Sequence, residues 1–330
     1  MRCTTVGCLL LLALFVASTA SGIQPTKKVP TIGILLPGSP PTSPDWKQNW
    51  VFLQELRHLG WRENENLTVE YRWASGQFYR GDDLAGELVR RPVDVILVQS
   101  GPLIRAAQRA TTTLPIVMMA ADNPETAGFI ASLAQPGGNI TGVDASIGTE
   151  LSAKRLELLK EAVPAVTRIA VLVQPTVPAM GESLEELKEV ARAIGVQLHI
   201  LAVYHPREFA GAFETATREG AGALLILSSL LFGPHHSRLA ALALAHRLPT
   251  MSWTRSFVTA GGLLAYGPKD ADLWRRAAYY VDRILKGTKP ADLPVERPMT
   301  FALVINLRTA QALGLTLSPI LLFQADEIIH

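Results

Sequence analysis

The sequence predicts an α/β protein made of two doubly wound parallel-sheet lobes that are joined by three crossover segments. Its 330 residues, 48% of them hydrophobic and 18% charged, are enough to bury a substantial core. Apolar runs of strand length alternate with amphipathic helical patterns almost to the end of the chain. Glycine-rich breaks at 135–139 and 261–262 interrupt this alternation and suit passages between lobes, and we expect the crossing segments near 141–143, 266–268 and 292–294.

The apolar runs predict strands in the following order: 31–36, 69–73, 93–98, 116–120, 169–173, 196–202, 223–227 and 263–266. Apolar residues at helical spacing predict helices between them, among which are 46–59, 151–162, 183–194 and 237–246. A strand followed by a helix, repeated, requires crossover connections and therefore parallel sheets that are covered by helices on both faces. Ligands bind such sheets outside the carboxyl ends of the strands, so two facing lobes predict a cleft.

Residues 1–22 have the pattern of a secretory signal peptide. Arg2 precedes an apolar run at 9–17, and small residues follow at 18–20, the usual spacing for cleavage. The run has about ten residues, whereas a membrane-spanning helix needs about twenty. We therefore expect export and no stable membrane insertion after cleavage, with a retained anchor as the alternative.

Cysteine content and charge exclude several functions. Cleavage after residue 20 or 22 removes Cys3 and Cys8, the two cysteines of the chain, so we expect no disulfide and no thiol chemistry. With 31 basic and 29 acidic residues and no long basic run, nucleic acid is not an expected partner. The sequence has no nucleophile elbow, phosphate loop or zinc-protease spacing, and we expect no enzyme activity, no cofactor and no metal site.

In the first lobe, the loops that follow predicted strands contain the candidate ligand-binding residues. The loop after the first strand is rich in proline and hydroxyl groups and includes Ser39 and Ser43, although Ser43 is equally suited to capping the next helix. After the third strand, Ser100 and Gly101 begin a helix whose free N–H groups suit a ligand carboxylate, with simple capping as the alternative.

Further candidates follow the fourth strand and the strands of the second lobe. Asp122, beside Asn123, is a candidate partner for a ligand ammonium group, and a turn or helix cap is its alternative role. In the second lobe, polar groups beside aromatic faces are suited to orienting a small ligand, with packing in the core as the alternative for the tryptophan. These second-lobe candidates are Gln174, Ser228, Ser229, Trp253 and Tyr266.

Several stretches, taken in order from 29 to 329, resemble the ABC-transporter substrate-binding proteins with a type I periplasmic-binding fold, a group that includes tryptophan- and phenylalanine-binding members. The most specific stretches read EYRWA at 70–74, SLAQPGGNITG at 132–142, AGGL at 260–263 and LKGTKPADLPVE at 285–296. The resemblance implies a first lobe of 29–142 plus 268–291 and a second lobe of 143–267 plus 292–330.

The resemblance also implies a function. It implies a periplasmic solute-binding protein that captures an amino-acid-like or aromatic small molecule between its lobes and delivers it to the permease of an ABC importer. A receptor module that signals to a membrane sensor is the alternative with the same fold. The sequence departs from the family pattern near the expected site, where QSGP at 99–102 replaces the family's TGTP and VQP at 173–175 replaces its WNP. These departures predict an unusual ligand, or in some members none.

Overall fold

The computed structural model describes residues 28–121, 123–144, 149–176 and 180–330. The predicted signal peptide at 1–22 and the candidate residue Asp122 lie outside the described residues. Within these four ranges, no helix combines the length and the apolar character needed to cross a membrane. Two separate sheets organise the described chain, one of five strands and one of seven.

The first sheet is entirely parallel, with the strand order β2-β1-β3-β4-β5. Its strands are β1 (Thr31–Leu36), β2 (Thr68–Trp73), β3 (Val95–Gln99), β4 (Ile116–Ala121) and β5 (Ile140–Asp144). The helices between them are α1 (Trp46–Asn49), α2 (Val51–His58), α3 (Gly81–Val89) and α4 (Gly101–Ala110). The central strands are nearly continuous apolar runs because helices cover both faces of the sheet.

The second sheet has the order β12-β11-β10-β9-β8-β6-β7 and is parallel except where β11 pairs with β10. Its strands are β6 (Arg168–Val173), β7 (Gln197–Ala202), β8 (Ala223–Ile226), β9 (Thr250–Ser252), β10 (Leu264–Pro268), β11 (Phe301–Asn306) and β12 (Glu327–Ile329). Its helices are α5 (Thr149–Ala162), α6 (Met180–Ala193), α7 (Phe209–Arg218), α8 (His236–Ala245), α9 (Arg255–Thr259), α11 (Leu307–Leu313) and α12 (Pro319–Gln324).

One helix late in the chain completes the first lobe. After β10 the chain returns as α10 (Asp270–Leu285), whose buried face packs against the first sheet and α2. Ala277 and Val281 on this face are fully buried, and Tyr280 is 1% exposed. The predicted fold class, two doubly wound parallel-sheet lobes, is therefore confirmed.

Two local predictions were wrong. The helix expected at 46–59 is broken at Trp50, whose extended backbone (φ −77°, ψ 115°) separates α1 from α2. The glycine-rich breaks at 135–139 and 261–262 are not passages between lobes, because the first lies between β4 and β5 and the second between α9 and β10. Gly137 (φ 76°) and Gly261 (φ 108°) make turns within a lobe, a use of glycine that sequence does not distinguish from a passage.

The chain passes between the sheets after β5, after β10 and after α10. The first and third passages are joined by backbone hydrogen bonds: Asp144 N–H donates to the Glu296 carbonyl (2.9 Å), and Glu296 N–H donates to the Gly142 carbonyl (3.2 Å). Nearby, the Thr141 hydroxyl donates to the Leu293 carbonyl at 2.6 Å. The fully buried carboxylate of Asp144 accepts from Arg297 Nε at 3.0 Å. The residue boundaries predicted for the lobes stay a prediction.

Candidate functional site

A cavity lies at the carboxyl edge of the first sheet, at its topological switch point. The order β2-β1-β3 places this point between β1 and β3, where successive connections leave on opposite faces and open a crevice. The cavity has a volume of about 480 Å³. Leu36 and Gly38 line it from the end of β1 and the loop that follows, and Gln99 lines it from the end of β3.

Four tryptophans form much of the cavity wall: Trp46, Trp50, Trp73 and Trp274. The rings of Trp50 and Trp274 meet edge to face with centroids 4.9 Å apart, and those of Trp46 and Trp73 do so at 5.9 Å. Such contacts are favourable for aromatic quadrupoles and hold each ring in one orientation. The result is a preformed apolar surface.

The charged groups near this wall interact with each other and do not line the cavity. Lys47 Nζ lies 4.6 Å from the centre of the Tyr71 ring and 2.6 Å from Glu63 Oε1. The Tyr71 hydroxyl donates to Glu63 Oε2 at 3.3 Å, and burial together with the charge of Glu63 raises the pKa of this phenol. Because none of these three lines the cavity, whose polar lining consists of Ser43 and Gln99, the lining is uncharged.

The loop after β1 contributes Ser43 to the cavity lining but not Ser39, which is exposed in the same loop. Ser43 does not cap α1 with its side chain. Its carbonyl accepts from Trp46 N–H at 3.3 Å, and Asp45 occupies the N-cap position without a side-chain hydrogen bond. The capping alternative for Ser43 is therefore wrong, whereas its role toward a ligand stays a prediction.

Ser100 and Gly101 begin α4, as the sequence predicts. Ser100 occupies the N-cap with a left-handed backbone (φ 81°), and its side chain makes no capping hydrogen bond. Its hydroxyl is buried without a hydrogen-bond partner. Simple capping is therefore excluded for this side chain. Asn123, after β4, is exposed and also left-handed (φ 47°).

The switch point of the second sheet brings two predicted residues together. The order β7-β6-β8 repeats that of the first sheet, and Gln174 follows β6 while Ser229 follows β8. The Ser229 hydroxyl donates to Gln174 Oε1 and also accepts from Leu231 N–H at 3.0 Å. Ser228, next to this pair, is half-buried.

Trp253 and Tyr266 lie farther along the second sheet. Trp253 follows β9, and its half-buried ring packs against His236 with centroids 5.5 Å apart, which favours the packing alternative for this tryptophan. Tyr266 lies within β10, half-buried, with its ring centroid 6.1 Å from that of Phe301. Among the predicted residues that the structure describes, only Ser43 lines the tryptophan cavity.

Arg155 has no role that the sequence predicts, and it lies in α5. The residue is 1% exposed, and its Nε donates to the Tyr266 carbonyl at 2.6 Å. Burial lowers the pKa of its guanidinium to about 9, which still leaves it charged at neutral pH. Its Nη2 atom is buried without a hydrogen-bond partner, and no carboxylate in the described ranges pairs with it.

Comparison with known proteins identifies the family. A model of the ABC transporter substrate binding protein family matches residues 48–329. The chain belongs to this family. The resemblance noted in the sequence is therefore confirmed. Proteins of this family bind substrates for ABC transporters, and they act outside the cytoplasm.

Relatives of this family member include proteins named for aromatic amino acids. A tyrosine-binding protein of Clostridioides difficile (strain R20291) is 23% identical over 264 residues, which cover 80% of this chain and 75% of that protein. An ABC domain from Streptococcus pneumonia, solved with L-Trp, has a TM-score of 0.78 and 24% identity over 91% of this chain and 99% of its own.

A conserved domain protein from Vibrio cholerae O1 biovar El Tor (strain N16961) has a similar fold. It superposes with a TM-score of 0.79 and 25% identity, covering 91% of this chain and all of its own. Both structural matches extend over both lobes, and they support the assignment of the fold.

Proposed function

We propose that this substrate-binding protein captures a small aromatic or aromatic amino-acid-like molecule in the cleft between its lobes and delivers it to the permease of an ABC importer. The observation that carries the proposal is the cavity with four tryptophans at the switch point of the first sheet. The names of the relatives agree with it, since one is called tyrosine-binding and another was solved with L-Trp. The predicted signal peptide supports a periplasmic location.

The size and chemistry of the cavity suit such a ligand. A volume of about 480 Å³ lies within the usual range for small-molecule sites, which are mostly apolar with a few polar groups. Flat apolar ligands gain from contact with the tryptophan faces, and Gln99 and Ser43 offer hydrogen bonds for orientation. Hinged closure of two lobes around a ligand is the usual motion of this class of fold and supplies a signal that a permease recognises.

The test is binding of L-tryptophan, L-tyrosine and L-phenylalanine, measured by calorimetry and by tryptophan fluorescence. Four of the six tryptophans line the cavity, so a bound ligand should change the emission. We expect Trp46→Leu to weaken binding by about tenfold or more, because an aromatic contact and its buried area contribute about 1.5 kcal/mol or more.

Trp61→Leu is the matched control. Trp61 does not line the cavity and donates from Nε1 to Asp282 Oδ1 at 2.8 Å, so its replacement should reduce stability without changing affinity. Equal loss of affinity in the two variants, or no binding of any aromatic amino acid by the wild-type protein, would contradict the proposal.

A further inference from the structure

Arg155 is a buried charge to which no described residue supplies a counter-charge. It extends from α5 to the end of the second sheet, where its Nε donates to the carbonyl of Tyr266 in β10. A Cβ atom built on Gly267 would lie 3.8 Å from Nη2 and only 2.0 Å from the Trp253 carbonyl oxygen. The guanidinium therefore lies beside the carboxyl-end segments of β9 and β10.

A buried guanidinium is normally paired. Charged side chains are almost never fully buried unless an opposite charge and hydrogen bonds compensate for the loss of water. Arg155 has one backbone carbonyl as an acceptor for Nε, while its Nη2 has no acceptor among the described residues. A leucine or methionine would fill this position of an amphipathic helix at lower energetic cost.

We infer that Arg155 is the binding partner of an anionic group on the ligand, a carboxylate, which accepts hydrogen bonds from Nη2 at the edge of the second sheet. The inference rests on the proposed function and specifies it: the ligand class is aromatic carboxylic acids, amino acids included. The tryptophan wall of the first lobe carries no charge in its lining, so the two lobes recognise different parts of one molecule.

Access to the guanidinium requires a side chain to move. Arg155 is 1% exposed, whereas Tyr266, whose backbone carbonyl accepts from Nε, is half-buried and packs against Phe301 with ring centroids 6.1 Å apart. We expect binding to displace the half-buried Tyr266 side chain, which belongs to the residue whose carbonyl Arg155 contacts, so that a carboxylate reaches Nη2. A carboxylate has enough lone pairs to accept from Nη2 and from a second donor at once.

The test uses Arg155→Met, which keeps the length of the apolar stem, with Lys154→Met as the matched control. Lys154 is the neighbouring cation on α5, with a side chain 47% exposed. The probes are two carboxylates, L-tyrosine and 3-(4-hydroxyphenyl)propanoate, and tyramine, which keeps the phenol ring and lacks the carboxylate. Affinities are measured by calorimetry for the wild-type protein and both variants.

We expect Arg155→Met to weaken binding of both carboxylates by about ten- to a hundred-fold, the effect of losing a charged hydrogen bond, and to leave tyramine binding unchanged. Lys154→Met should bind all three probes as the wild-type protein does. Arg155→Met should also unfold, without ligand, within a few degrees of the wild-type midpoint, because it removes a buried charge that has no counter-charge.

Four results would overturn the inference. Unchanged affinity of Arg155→Met for the carboxylates would exclude the contact. A large fall in its unfolding midpoint without ligand would show that the arginine supports the fold. Wild-type protein that binds tyramine as tightly as the acids would refute the carboxylate class and leave solute binding intact. Binding of none of the probes by the wild-type protein would instead refute the proposed aromatic ligand, and the inference with it.

Discussion

Gly142 lies where the chain leaves the first sheet, and replacing it by alanine tests how tightly that passage is packed. Its φ is 136°, a conformation that residues with a side chain rarely adopt. A Cβ atom at this position would lie 2.1 Å from the carbonyl oxygen and 2.8 Å from the nitrogen of Met118 on the neighbouring strand β4. These are backbone atoms, which cannot turn aside as a flexible side chain does.

Two energetic costs to the folded state add up for Gly142→Ala. The unfavourable backbone conformation costs about 1–3 kcal/mol, and the overlap with β4 costs about 1–3 kcal/mol more, so we expect a loss of about 2–6 kcal/mol in the free energy of unfolding. Domains are stable by about 5–15 kcal/mol, and each kcal/mol lowers the midpoint by about 2–4 °C at this size. A fall of about 5–20 °C is therefore expected.

Thermal and urea unfolding followed by circular dichroism measures this loss, with Gly138→Ala as the control. Gly138 lies four residues earlier, has no atom within 4 Å of a built Cβ, and its φ is not in the left-handed region. Its replacement should change the midpoint by less than about 2 °C, since exposed substitutions usually stay within about 0.5 kcal/mol. If the two variants unfold at the same midpoint, β5 does not approach β4 closely at Gly142.

Two other predictions concern the second lobe. Gly267→Ala places a Cβ 2.0 Å from the Trp253 carbonyl, so it should cost about 1–3 kcal/mol in urea unfolding, whereas Gly233→Ala, with open space around its Cβ, should unfold like the wild-type protein. Burial, and secondarily the nearby His235, lowers the pKa of His236 from the ordinary 6.5 to about 4. Between these values the unfolded chain binds a proton that the folded chain does not, so stability should fall as the pH drops from about 6.5 to 4. Because this ring is only partly buried, the expected fall is about 1–2 kcal/mol, and His236→Gln should flatten the pH dependence of the urea midpoint. An unchanged slope in that variant would assign the acid sensitivity to other groups.

The alternation of apolar runs and helical patterns predicted eight of the strands and the parallel topology, because buried parallel strands are continuous in hydrophobicity. Of the four strands it missed, β5, β9 and the three-residue β12 lack that signal, whereas β11 is an apolar run at Phe301–Asn306. The strand β9 has only three residues, Thr250–Ser252, and β5 contains Gly142 and the buried Asp144. The strand β11 follows a long passage and pairs antiparallel with β10, an arrangement that the strand–helix alternation does not predict.

The position of the site was partly predictable, and its chemistry was not. Parallel topology places the loops after strands at one edge, and Gln174 and Ser229 lie together at the second switch point, while their role toward a ligand stays a prediction. The tryptophan wall depends on Trp274, which reaches the first lobe only because α10 returns there. Arg155 gave no signal because an arginine next to a lysine on an amphipathic helix is usually solvated.

The backbone hydrogen bonds between the first and third passages have a mechanical consequence. Gly142, Asp144 and Glu296 make the two passages a short two-stranded ribbon, so neither segment can rotate without carrying the other. Such a ribbon bends and twists more easily than its strands slide past each other, because sliding breaks the hydrogen bonds and bending does not. We therefore expect the relative motion of the two lobes to be reduced toward a single soft direction, along which the facing surfaces keep their orientation.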